Sequence, residues 1–109
     1  MRNSIWVPRN RNYFLGKLYS VFFMSIHVAA REGDLEALRE RIERGENVDG
    51  RGGGEWTPLM WACGTGHLEC VQALIDAGAA VDMAGNYGYT ALMFACSLDH
   101  HECAQALID

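Results

Sequence analysis

Two short segments concentrate the side chains most able to do chemistry: Cys63-Gly-Thr-Gly-His67-Leu-Glu69-Cys70 and Cys96-Ser-Leu-Asp-His100-His101-Glu102-Cys103. Both spell C-x3-H-x2-C, so thiol, imidazole and carboxylate crowd together as they would in a zinc site, an activated nucleophile or a thiol redox device. Zinc needs four ligands converging at about 2.0–2.3 Å, usually supplied as tight pairs such as C-x2-4-C, and neither segment has such a pair. A nucleophilic cysteine or histidine needs a third group to orient it and a pocket to enclose it; neither is implied. Four cysteines are too few for a disulfide scaffold, and a reducing compartment is the default. The run Gly50-Arg51-Gly52-Gly53-Gly54 lacks the G-x-x-x-x-G-K-[ST] spacing of a phosphate loop and reads as a flexible tip. No catalytic, cofactor or metal site is expected.

The distance between the two segments explains them. Cys63 to Cys96 is 33 residues, as is Cys70 to Cys103, and the same offset relates Thr57 to Thr90, Leu59 to Leu92, Met60 to Met93 and Ala62 to Ala95. It also relates Gln72-Ala73-Leu74-Ile75-Asp76 to Gln105-Ala106-Leu107-Ile108-Asp109, and a weaker copy lies upstream through Ile26, Ala29, Gly33, Leu35, Val48 and Asp49. A fixed period of this length sets the whole architecture, so the cysteines and histidines recur because everything recurs. At these positions the expected role of all four cysteines is core packing as small hydrophobes.

Each unit has a physical logic. Thr57 suits a helix N-cap and Pro58 the first helical position, predicting a short helix from Pro58 to about Cys63 that Gly64-Thr65-Gly66 breaks. A second helix is predicted from His67 to Ala77, burying Leu68, Val71, Leu74 and Ile75, with Gly78 stopping it. Ala79 to Tyr89 then returns as an extended turn, with Val81 pointing inward. Trp61 and Phe94 share a column with Val28, which favours helix packing for both.

The stretch TPLMWACGTGHLECVQALIDAGAAVD, Thr57 to Asp82, resembles the ankyrin repeat, and the resemblance extends over about residues 24–109. It implies an all-α solenoid of helix-turn-helix units with extended turn tips. There are about two and a half units: a divergent one at 24–56, a full one at 57–89 and a shortened one at 90–109. The pattern departs from the family where Met60 and Met93 replace a histidine, Asp99 and Glu55 replace glycines, Ala91 replaces a proline and His101 takes a leucine position. In resembling proteins the tips and the exposed face of the first helix form a concave binding surface. Transferred position by position, this implies Trp56, Met60, Gly64, Thr65, Asn86, Tyr87, Tyr89, Met93, Ser97 and Leu98 as partner-binding residues. Tyrosine and tryptophan dominate interface hot spots, although Trp56 and Tyr89 also fit simple packing on neighbouring turns.

Charge divides the chain. Residues 1–23 carry Arg2, Arg9, Arg11 and Lys17 without an acid, whereas residues 24–109 carry five arginines against fourteen acids, a balance of −9. The repeats should repel phosphate backbones and attract a basic protein surface, so neither nucleic acid nor a small-molecule substrate is expected. Residues 1–23 fit an added helix covering the first unit, an organelle or secretory targeting signal, a membrane anchor, or upstream sequence ahead of Met24; a membrane role is disfavoured by Lys17 and His27 within the apolar stretch. Without targeting, the location is cytoplasmic or nuclear. The final unit offers Ala104, Leu107 and Ile108 without a polar cap, which predicts a longer array or a covering partner. The reading is a protein-binding scaffold or adaptor; the alternative is a regulatory or targeting region of an enzyme whose catalytic domain lies beyond Asp109.

Overall fold

The computed structural model describes residues 24–109; the readings of residues 1–23 fall outside them. Among the described residues there are six α-helices and no strands: α1 (Ile26–Glu32), α2 (Leu35–Glu43), α3 (Pro58–Thr65), α4 (Leu68–Asp76), α5 (Ala91–Ser97) and α6 (His101–Ile108). Single 3-10 turns, Gly53–Glu55 and Asn86–Gly88, form the tips between units. The helices pair as α1/α2, α3/α4 and α5/α6. Pairs stack so that α1, α3 and α5 make one layer and α2, α4 and α6 a second. This is the expected solenoid.

Local chemistry starts each inner helix the same way. Ser25, Thr57 and Thr90 are extended N-caps whose hydroxyls accept from Val28, Met60 and Met93 backbone N–H groups. At α3 the reciprocal bond of a capping box is supplied by sulfur: the Thr57 N–H donates to Met60 Sδ at 3.5 Å. The helix runs two residues past the predicted end, since Gly64 and Thr65 stay helical and only Gly66, at φ 78°, turns the chain. His67 then caps α4 from outside it, and Ala77 likewise lies beyond the helix that was predicted to include it.

Gly33, Gly66 and Asp99 hold one column, each in the left-handed region that ends an inner helix. Absence of a side chain matters doubly at the first two. A Cβ on Gly33 would lie 2.5 Å from His67 Nδ1, and one on Gly66 would lie 2.6 Å from His100 Nδ1. Each histidine therefore rests on the glycine of the preceding unit. These imidazoles are inter-unit packing groups.

The core runs between the layers through Ile26, Ala29, Leu38, Leu59, Ala62, Cys63, Cys70, Val71, Leu74, Ala95 and Cys103. Burial pushes the Cys63 thiol up to about 12, with Cys103 adding repulsion. It pushes Cys70 up to about 11, helped by Asp34 and Glu69, and also raises Cys103. These three are inert fillers, as expected. Cys96 is not: it is exposed, because the surface that covers Cys63 in the preceding unit has no counterpart over Cys96 among the described residues. The apolar end is likewise smaller than predicted, since Ala104 and Leu107 pack partly against the core and only Ile108 stands well exposed.

Candidate protein-binding surface

The tips are tied to each other before they meet anything else. Gly52 N–H donates to Trp56 O at 2.9 Å and Gly85 N–H donates to Tyr89 O at 2.8 Å, closing two equivalent turns. The Asn86 side chain donates to Gly54 O at 3.1 Å, and Ala80 N–H donates to Asp49 Oδ1 at 2.9 Å, so adjacent units are bridged at the tips. The glycine-rich stretch is thus an ordered turn. In the first unit His27 shares a hydrogen bond with Gly50 O at 2.6 Å through Nε2. That column continues in Met60 and Met93.

This column accounts for the clearest correction to the expected surface. Met60 is 1% exposed and cannot reach a partner. Its sulfur serves the Thr57 cap and packs beneath Gly85, where an added Cβ would come within 3.2 Å of Sδ. The signal was present in the sequence, because a position that elsewhere bears an internally bonded histidine is inward-facing. Met93, its equivalent, is half exposed, since no further tip covers it among the described residues.

Trp56 is half-buried, with its ring centroid 4.3 Å from Trp61 and 4.4 Å from Phe94. It also lies over Gly64, which is half-buried and whose added Cβ would stand 3.6 Å from the indole, an ordinary van der Waals separation. Tyr89 continues the row at 5.8 Å from Phe94, and Arg31 begins it with its guanidinium carbon 5.6 Å from the Trp61 ring centre. Trp61 and Phe94, expected to serve helix packing, are members of a ladder that crosses all three units. Spacing alone hid this, because the ladder is built from two columns that meet only when the units stack.

The remaining expected residues are exposed. Thr65 bonds back to Trp61 O at 2.7 Å, and Ser97 faces solvent at the end of α5. Leu98 lies in the column of Glu32 and Thr65, so it places an aliphatic group where the other units are polar. Tyr87 is 95% exposed and sits at φ 63°, a backbone conformation that glycine holds at the equivalent Gly54. The large exposed apolar side chains are Tyr87, Tyr89, Met93, Leu98 and Ile108, all in the last tip and unit. Among the described residues no three His, Cys, Asp or Glu side chains group as a metal ion would require. No helix there is long and apolar enough to cross a membrane.

The family model for ankyrin repeats in three copies matches residues 26–109. The chain belongs to the ankyrin repeat family. Its fold is similar to the crystal structure of the human ASB11 ankyrin repeat domain, with TM-score 0.73 and 34% identity over 78% of this chain. The match spans 38% of that domain's length. A comparison with curated proteins found no match. Ankyrin repeats are protein-interaction modules on a non-catalytic fold, which agrees with the ankyrin reading of the sequence.

Proposed function

We propose that this ankyrin repeat protein is a scaffold or adaptor without catalytic activity, and that it grips another protein with the tips and inner helices of its last two units. The contact set is Tyr87, Tyr89, Met93, Ser97 and Leu98, continued by Thr65, Asn86 and the exposed part of Trp56. The observation that carries this is Tyr87: a large aromatic held fully in solvent on a backbone that disfavours it, without packing to compensate. Leu98 supports it as an aliphatic group in a solvent-facing polar column. The balance of −9 over residues 24–109 suits a basic partner surface.

The test is affinity capture with the full chain against a Tyr87→Ala, Leu98→Ala double variant. Trp56→Ala is a poor choice, because losing its stacking on Trp61 and Phe94 would perturb the fold. Circular dichroism should give the two proteins equal helix content, while partner recovery should fall by roughly tenfold or more for two lost anchors. Equal recovery would remove this face from consideration.

A further inference from the structure

We infer that the partner segment seated on this face is itself uncharged and apolar, and that any basic residues of the partner act from outside the contact; this rests on the proposed use of the face. Residues 56–66 and 83–98 supply the inner helices α3 and α5 and the second tip, and they contain no Asp, Glu, Lys, Arg or His. The acids lie elsewhere. Glu69 and Asp76 belong to α4 and Glu102 to α6, in the other layer. Asp99 lines a cavity with His100, His101 and Glu102, where α5 gives way to α6. Asp82 is the column-mate of Asp49, whose carboxylate turns along the stack to Ala80 N–H. In the first unit, the equivalent columns and tip hold two ion pairs, Arg31–Glu32 at 3.3 Å and Arg51–Glu55 at 3.8 Å, each cancelling its own charge.

The face is open for reasons internal to the repeat. In the middle unit, which has a neighbour packed on each side, Thr65 stays exposed and Trp61 and Gly64 stay half-buried. Tyr87 and Leu98 add large apolar groups, and the polar groups of Thr65, Ser97 and Tyr87 are neutral hydroxyls. Aromatic-rich and depleted of charge, this is the composition of an interface centre. A carboxylate or ammonium pressed against it would lose its water with no counter-charge in exchange. An aliphatic or aromatic side chain gains by burial there, and the hydroxyls can bond to a peptide backbone. The stacked rings leave little for a cation: the Trp56 centroid lies within 4.4 Å of both Trp61 and Phe94, and Arg31 already sits 5.6 Å over Trp61. The acids of the outer layer then act at range, drawing a basic partner in without touching it.

The experiment selects random-sequence peptides displayed on phage against the immobilised full chain and measures the enriched peptides by isothermal titration. Enriched peptides should carry aliphatic or aromatic residues, and no charge, at the positions whose alanine replacement abolishes binding. They should be lost on the Tyr87→Ala, Leu98→Ala chain. Their affinity should change less than about twofold between about 0.1 M and about 1 M salt, whereas a contact between charges would weaken several-fold as the screening length falls from about 10 to about 3 Å. Thr65→Glu puts a carboxylate on the face, in a column that already accommodates Glu32, and Thr65→Gln is its neutral match. Binding should be roughly three- to tenfold weaker for the glutamate chain than for the glutamine chain, because the new charge is desolvated without a partner. A basic contact segment requires the opposite sign. Tighter binding to the glutamate chain with loss in salt, or equal binding to both Thr65 chains, would overturn the inference and leave the surface standing if the Tyr87, Leu98 variant still loses the peptides. Uncharged peptides indifferent to every one of these changes, or no enriched peptide at all, would overturn the inference and the proposed surface together. Should a Thr65 variant fail to fold, Ser97→Glu against Ser97→Gln makes the same comparison in the column of Arg31.

Discussion

Replacing Gly66 by alanine separates two costs that the column Gly33, Gly66, Asp99 combines. The first is conformational: at φ 78° an L-residue is strained by about 1–2 kcal/mol, partly offset by about 0.4–1 kcal/mol from the stiffer unfolded chain. Gly78 measures this alone, since it sits at φ 91° with nothing within 4 Å of an added Cβ. Gly78→Ala should therefore cost about 1 kcal/mol. The second cost is steric. At Gly66 the new methyl would meet His100 Nδ1 at 2.6 Å and Cε1 at 2.7 Å, so the imidazole must leave its seat. Overpacking of this kind adds about 1–3 kcal/mol, bringing Gly66→Ala to roughly 2–4 kcal/mol. Urea unfolding followed by circular dichroism would register this as a midpoint lowered by about 1–2 M, using a slope typical for a small protein. In a His100→Ala background the same substitution should fall back to the Gly78→Ala value, giving a coupling of about 1–3 kcal/mol. If the two glycines cost the same, or if the coupling is below about 0.5 kcal/mol, the stacking of histidine on glycine does not hold the units together as argued.

The cysteines should divide by position: brief iodoacetamide treatment of the native chain near pH 8 should label Cys96 alone, with Cys63, Cys70 and Cys103 appearing in mass spectra only after denaturation. The thiols at Cys63 and Cys70 stand above the ordinary value of 9.0, at about 12 and about 11, so the stability they contribute is complete below pH 9 and lost as pH rises from there towards 12. Urea midpoints should decline across that window, and less steeply for Cys63→Ala; equal slopes would contradict the burial. Thr57→Ala should cost about 1–2 kcal/mol, because it orphans the Met60 N–H in a buried site, with Thr57→Ser recovering most of it in the same unfolding assay. Tyr87→Gly should raise stability by about 0.5–1 kcal/mol through relief of the left-handed backbone while weakening partner capture, and a stability loss would refute the strain argument.

The architecture was legible because the 33-residue offset repeats caps, small residues and apolar rows together, leaving no other arrangement that buries them all. The extent of α3 was less so: Gly64 looks like a breaker in sequence, yet it stays helical and the left-handed residue that ends the helix is Gly66. Asp99 and Glu55 adopt φ 63° and 65°, the conformations of the glycines they replace, so the repeat imposes its turns even on residues that resist them. Met60 was misplaced because column membership was read as exposure.

A period establishes which residues are equivalent, but burial belongs to the contact between units, and equivalent residues need not share it. Met60 and Met93, Cys63 and Cys96, and Trp56 and Tyr89 are pairs of like residues whose exposure differs only because the first member has a unit packed upon it. The exposure of Met93, Cys96 and Tyr89 is therefore a weak signal of function taken residue by residue. Tyr87 and Leu98 are different in kind. Their column-mates are Gly54 in one case and Glu32 and Thr65 in the other, so no covering unit is needed to explain why those columns face solvent. An aromatic and an aliphatic side chain have been placed where the repeat itself asks for glycine and polar groups. For that reason the double variant at Tyr87 and Leu98, rather than any change in the ladder, is the sharper probe of what this surface binds.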